Sequence, residues 1–172
     1  HKGLEDTIDI RTPGDWGGLS SPEYRAINPQ GKIPAFIFPS GETLFEAKVI
    51  MGYLLDAYGD SGPPIGANTA ELRAKSALLV QVHDLYIASP NSSNPQVTAT
   101  QGAMYKAVDV IDGPSRAAKF AEIWKQLGVI EALLDDKGPY ACGAALTEAD
   151  LTLWPTLSSF LAVMLPIYGW VN

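Results

Sequence analysis

The chain has 172 residues, 47% hydrophobic and 18% charged, an ordinary globular composition with enough length for a sizeable core or two small lobes. A net charge of −7 without a Lys/Arg cluster leaves no electrostatic footprint for nucleic acid or for an anionic membrane. The single cysteine, Cys142, excludes an internal disulfide and any CxxC motif, and the two histidines, His1 and His83, cannot form a metal cluster.

The chain opens on a weak strand signal. Thr7, Ile8, Asp9 and Ile10 alternate within Leu4 to Arg11, which predicts a short strand, and Thr12 to Gly18 is a Pro/Gly loop carrying Trp16. Ser21-Pro22-Glu23 is a helix-start signature, giving a short helical turn through Tyr24 before Asn28. Neither Trp16 nor Tyr24 is singled out as a ligand contact, since a loop aromatic more often covers core.

The stretch from Asn28 to Tyr58 organises the rest. Asn28-Pro29 and Gln30-Gly31 are turn dipeptides, and the apolar run Ile33 to Phe38 predicts a buried strand entered through Pro34. Pro39, Ser40 and Gly41 punctuate, Thr43 to Phe45 pairs back antiparallel, and Glu46 opens an amphipathic helix with Val49, Ile50, Tyr53 and Leu54 on its apolar face.

An X-Pro bond where a strand meets a loop is a candidate cis peptide, which turns the preceding main chain away from the sheet ladder. Ile33 would then offer its N–H and C=O to an extended peptide. A helix opening at Glu46 aims unpaired N–H groups at whatever lies in front of it, and a carboxylate suits that position, while Glu46 itself would hold an ammonium group. Such a site is suited to a γ-glutamyl peptide.

Tyr58 to Asn68, with Gly59, Gly62, Pro63, Pro64 and Gly66, is the clear linker. The domains therefore read as residues 1–59 and 68–172, joined by 60–67. Helical patterns dominate afterwards. From Glu71 to Ala88 the stripe is Leu78, Val82 and Leu85, with Leu79 and Tyr86 beside it. His83-Asp84 suggests a dyad, but adjacent helix positions point about 100° apart, and the pair reads as solvated or interfacial. Ser89 to Thr100 is polar and long for a connection between bundle helices, a surface loop with a lid or docking loop as alternatives. Its Asn91-Ser92-Ser93 fits the glycosylation pattern and is discounted for want of any sign of secretion. Phe120, Ile123, Leu127, Ile130 and Leu134 predict a core-facing helix with Trp124 alongside. After Lys137-Gly138-Pro139-Tyr140, Thr147 and Asp150 form a capping-box arrangement flanked by a Leu146/Leu151 staple. Asp150 is therefore read as structural. Cys142 reads as a buried small residue. The apolar stretch Phe160 to Val171 is broken by Pro166 and falls short of the ~20 residues that span a bilayer.

Taken together, NPQGKIPAF, the hairpin and FEAKVIMGYL resemble the glutathione-binding half of the glutathione S-transferases. The resemblance continues through the Pro/Gly linker, the helical lobe and the late Ser/Thr-x-x-Asp box, with Pro155 kinking the last helix. It implies an α+β thioredoxin-like N-terminal domain, lacking its first strand and helix, followed by an all-α helical bundle domain. It also implies that Lys32 sits beside glutathione, Ile33 pairs with its cysteinyl backbone, Pro34 is cis and Glu46 takes the γ-glutamyl end. Ala47 stands where the family usually has Ser, so a hydroxyl donor to the carboxylate is lost, worth about 1–3 kcal/mol. The thiol-activating Tyr, Ser or Cys follows the family's first strand and is expected upstream of His1, where the natural protein is expected to continue.

The function so implied is a glutathione transferase that carries the thiol to an apolar electrophile in conjugation, reduction or isomerisation, as in detoxification, acting as a homodimer with no metal. Its expected setting is the cytoplasm, with a plastid or mitochondrion as the organellar option. By the same resemblance, an Asp from the Glu71–Ala88 helix of a partner subunit is the functional case for Asp84. The alternative is a non-catalytic member of the fold, docked as a structural subunit in a larger assembly.

Overall fold

The structure, a computed structural model, describes residues 3–88 and 113–159. The Ser89–Thr100 connection, its Asn91-Ser92-Ser93 pattern, the Phe160–Val171 stretch and the side chain of Phe120 lie outside the described residues. The chain divides into two compact units, His1–Pro64 and Ile65–Asn172. The break falls inside the Pro/Gly segment.

In the first unit the Pro and Gly signals place the elements. Ser21 caps α1 (Pro22–Ile27): its hydroxyl accepts from the Tyr24 N–H at 3.0 Å, and Pro22 occupies the first turn where no N–H is needed. Strands β1 (Ala35–Ile37) and β2 (Thr43–Phe45) form an antiparallel two-stranded sheet in the register Ala35 to Phe45, Phe36 to Leu44 and Ile37 to Thr43. Gly41, at φ 89°, supplies the left-handed residue of the reversal, and its N–H bonds the Phe38 carbonyl at 2.9 Å. Helix α2 (Ala47–Ala57) returns over the hairpin, and Tyr53 stacks against Phe36 and Phe38 with ring centroids 5.4 and 5.0 Å away. Among the described residues of this unit only Tyr24, Asn28 and Ile50 are buried.

Three expectations change here. Leu4 to Arg11 is not a strand. Its N–H groups at Thr7 and Ile8 bond the Leu4 carbonyl in a turn, and Ile10 stands 87% exposed. An alternating pattern becomes a strand only beside an edge that accepts its ladder, and the only described strands are β1 and β2, which pair with each other. The Thr12–Gly18 loop contains a 3₁₀ turn, Pro13–Trp16, in which Asp15 reaches back to the Thr12 N–H at 2.9 Å. The first strand starts at Ala35 rather than Ile33 and is half-buried, with Ile33 67% exposed.

Among its described residues the second unit is helical: α3 (Ala70–Val82), α4 (Gly113–Leu133) and α5 (Glu148–Ser159). Thr69 caps α3, its hydroxyl accepting from Leu72 N–H at 3.2 Å. The core gathers Leu79, Val80, Val82, Ile87, Ile130, Cys142, Ala149 and Leu153. The buried face of α3 is Ser76, Leu79, Val80 and Val82, continued by His83, so Val82 and Leu79 of the predicted stripe lie inside whereas Leu78, Leu85 and Tyr86 are exposed. The face is turned from the predicted one because Ser76 and His83 find hydrogen-bond partners on α5 and turn inward with the apolar residues between them. On α4, Ile123 and Ile130 are buried and Leu127 packs against the core, but Trp124 and, one residue past the helix, Leu134 are each 42% exposed.

Candidate functional site

The site is built from a turn and the open end of the hairpin. Asn28 closes α1 by donating to the Tyr24 carbonyl at 2.9 Å. Its side-chain oxygen then accepts from Gln30 N–H at 3.0 Å, and its main-chain oxygen accepts from Gly31 N–H at 2.9 Å. Gly31 is required twice over: its φ is 60°, and a Cβ there would stand 2.9 Å from the Leu19 carbonyl oxygen. Gly31→Ala is expected to cost about 2 kcal/mol. Thermal unfolding should read this as a drop of roughly 4–8 °C in Tm, and an unchanged Tm would mean that the turn yields freely.

This turn delivers Lys32, exposed, and Ile33, whose N–H and C=O have no partner among the described residues. The Ile33–Pro34 bond is cis. Because Ala35 pairs with Phe45, the residues just before β1 and just after β2 flank the same end of the hairpin. Pro34 is thus next to Glu46, and Ile33 next to the start of α2.

Glu46 is the unusual residue of that end. It is exposed and holds φ 73°, ψ 118°, a conformation that costs a side-chain-bearing residue about 1–3 kcal/mol. Its side chain does not cap α2, so it is left for another partner. The helix opens with a bond from Ile50 N–H to the Glu46 carbonyl at 3.1 Å, which leaves the N–H groups of Ala47, Lys48 and Val49 at the free positive end of the helix dipole. No acidic residue occupies that first turn, and Lys48 and the Ala47 methyl are exposed there. The combined arrangement offers an unpaired main-chain edge, a carboxylate for a cation and an N-terminus for an anion.

His83 and Asp84 lie in the other unit and do meet. His83 Nδ1 is 2.9 Å from Asp84 Oδ1, and Nε2 is 2.8 Å from Thr156 Oγ1 on α5. The 100° rule fails because α3 passes at His83 into a π turn, His83–Ile87, closed by Ala88 N–H on the His83 carbonyl at 2.9 Å, and the wider turn changes the angle between neighbours. His83 is buried, not solvated, and straps the π segment to α5. Asp150 is the structural residue the sequence implied, accepting from Ala141 N–H, Thr147 N–H and the Thr147 hydroxyl at 2.7, 2.8 and 3.0 Å. Among the described residues no group of three His, Cys, Asp or Glu is placed to hold a metal ion, and no helix is long and apolar enough to cross a membrane.

The sequence alone marks Tyr24 as an aromatic over core and Asn28 as part of a turn. Both are buried polar residues that reach Lys32, and the readable signal was the Asn-Pro dipeptide opening a turn into the strand.

Residues 1–57 match the model of the glutathione S-transferase N-terminal domain, and residues 113–171 match that of the C-terminal domain. The chain belongs to the glutathione S-transferase family. It is 30% identical over 142 residues to glutathione S-transferase F10 of Arabidopsis thaliana, an alignment that covers 81% of this chain and 62% of that protein. The chain thus spans less than two thirds of that relative's length. Glutathione transferase F2 from Populus trichocarpa has the same fold, with a TM-score of 0.69 at 22% identity over 95% of this chain and 75% of the other. A glutathione transferase from Burkholderia graminis, solved with two glutathione molecules per subunit, gives a TM-score of 0.63 at 25% identity, covering 83% of this chain and 57% of the other. The α+β first unit with an all-helical second unit is the glutathione S-transferase architecture, a thioredoxin-like domain followed by a helical one.

Proposed function

We propose that this glutathione S-transferase family member binds glutathione at the open end of the hairpin and transfers its thiol to an apolar electrophile. The observation that carries the reading is the shared position of an unpartnered Ile33 main chain, the free Glu46 carboxylate and the uncapped start of α2. Glutathione has the complementary groups: a peptide main chain to pair with Ile33, an α-ammonium for Glu46 and an α-carboxylate for the N–H groups of Ala47 and Lys48. Lys32 adds positive charge beside the strand for a second carboxylate. Relatives solved with glutathione support the ligand. The same reading takes the protein as a homodimer in a reducing compartment.

The test is retention on a glutathione-affinity column. Wild-type protein is expected to be held and Glu46→Ala to pass through, since removing the carboxylate leaves the ligand's ammonium unpaired at a cost of about 2–3 kcal/mol, or 30- to 150-fold in affinity. Glu46→Gly should lose binding equally while raising Tm, because glycine takes φ 73° without strain. One observation favours a second reading, a non-catalytic docking subunit: the Ala47 methyl occupies the first position of α2 and gives a carboxylate no hydroxyl donor. Flow-through of the wild-type protein would select it.

A further inference from the structure

We infer that Tyr24 and Asn28 are positioning residues of this site, which hold the Lys32 carbonyl so that, of these two neighbouring residues, only Ile33 presents both its main-chain N–H and its C=O to a ligand. The Tyr24 hydroxyl donates to the Lys32 carbonyl oxygen at 2.9 Å, and the Asn28 side-chain amide donates to the same oxygen at 2.7 Å. A carbonyl has two lone pairs, and both are now used. Tyr24 is 3% and Asn28 2% exposed, so neither donor has water as an alternative, and losing either bond leaves a buried polar group unpaired.

The consequence is a division of labour along two consecutive peptide units. Lys32 turns its carbonyl inward to two fixed donors, and Ile33 keeps its own N–H and C=O free on a residue 67% exposed. An extended ligand can therefore pair in one register only, because one step upstream the acceptor is already taken. Asn28 is itself immobilised through its main-chain N–H, its main-chain oxygen and its side-chain oxygen, which bond Tyr24, Gly31 and Gln30. Tyr24 is fixed by the Ser21 cap on its N–H and by the tilted ring of Trp16, 6.4 Å away. The donors thus sit on a preformed support, and the entropy of ordering Ile33 is met before a ligand arrives.

The inference rests on the glutathione reading for its ligand but not for its geometry, and the experiment separates the two. In the full-length protein, Tyr24→Phe removes one donor without changing shape, and Asn28→Asp replaces the other by an acceptor while keeping the oxygen that Gln30 uses. Calorimetric titration with reduced glutathione is expected to give a Kd raised about 3- to 10-fold for Tyr24→Phe and more for Asn28→Asp. The backbone amide order parameter of Ile33 in the unliganded protein should fall from about 0.85 towards 0.6 in both variants. A Kd and an order parameter equal to wild type in Tyr24→Phe, with only Tm lowered, would overturn the inference and leave the two bonds as ordinary scaffold. Should wild-type protein show no heat with glutathione, the ligand reading falls and the Ile33 order parameter alone decides the positioning. Should Asn28→Asp fail to fold, Tyr24→Phe decides it.

Discussion

Replacing Gly138 with alanine is expected to destabilise the helical unit by about 3 kcal/mol or more, a loss of roughly 6–12 °C in Tm. The cause is close approach rather than conformational freedom. A Cβ at position 138 would lie 2.3 Å from both the carbonyl carbon and oxygen of Gly143 and 2.7 Å from the nitrogen of Ala144, all main-chain atoms that cannot rotate aside. Those atoms are themselves pinned. Tyr140 and Gly143 exchange both main-chain hydrogen bonds at 3.1 and 3.0 Å, Asp135 N–H bonds the Ala141 carbonyl at 3.0 Å, and Cys142 between them is buried in the core. Asp135 anchors the near side: the Lys137 N–H, and then the Lys75 ammonium at 3.1 Å, hold its carboxyl below the usual carboxylate range. An added methyl group must therefore move a loop tied at both ends, and a urea melt should show the midpoint falling at constant m. Gly128→Ala, in the middle of α4 where nothing stands within 4 Å of the new Cβ, should instead stabilise by about 0.5–1 kcal/mol. Equal effects from the two substitutions would contradict the steric account.

The hairpin and α2 were legible because their boundaries are written in Pro and Gly, whose backbone constraints are local. The N-terminal strand was not, because alternation at Thr7 to Ile10 describes a face and says nothing of the neighbour a strand must have. Helix α3 shows a subtler failure. Leu78, Leu79, Val80, Val82, Leu85, Tyr86 and Ile87 surround much of the helix, so counting apolar residues allows two faces. The polar residues break the tie. Ser76 is buried because its hydroxyl accepts from the Ala149 N–H at 3.1 Å, and His83 because Thr156 meets its Nε2. Both partners lie more than 70 residues away in sequence. No periodicity argument contains them.

The same distinction runs through the site. Lys32, Ile33, Pro34, Glu46 and Ala47 could be named because the turn, strand and helix signals converge on them, and the resemblance gave each a role. The local geometry of these residues was not readable: the positive φ of Glu46, the two donors to the Lys32 carbonyl and the unpartnered main chain of Ile33 among the described residues are properties of three-dimensional neighbours. Sequence located the end of the hairpin. Physical contact assigned which of its groups are free.

Asp150→Ala is expected to remove about 3–5 kcal/mol, the second large loss in the helical unit, although Asp150 is far from any ligand role. Its carboxylate is the common acceptor for Ala141 N–H, Thr147 N–H and the Thr147 hydroxyl, and Thr147 is 1% exposed, so water cannot replace the lost acceptor there. These bonds join the loop after α4 to the first turn of α5. The usual capping box is only half present, since the Thr147 hydroxyl is spent on Asp150 and the N–H of Ala149 is capped instead by Ser76 from α3. Asp150 therefore fixes the start of α5 while Ser76 fixes its position against α3, and the two act on adjacent donors of one helix end. Asp150→Asn, which keeps one acceptor oxygen, should lose about half as much, and Ser76→Ala about 1–2 kcal/mol. A double-mutant cycle of Asp150→Ala with Ser76→Ala is expected to be non-additive, because once the first turn of α5 frays the second cap has nothing left to hold. Strict additivity in that cycle would show two independent contacts rather than one shared helix start.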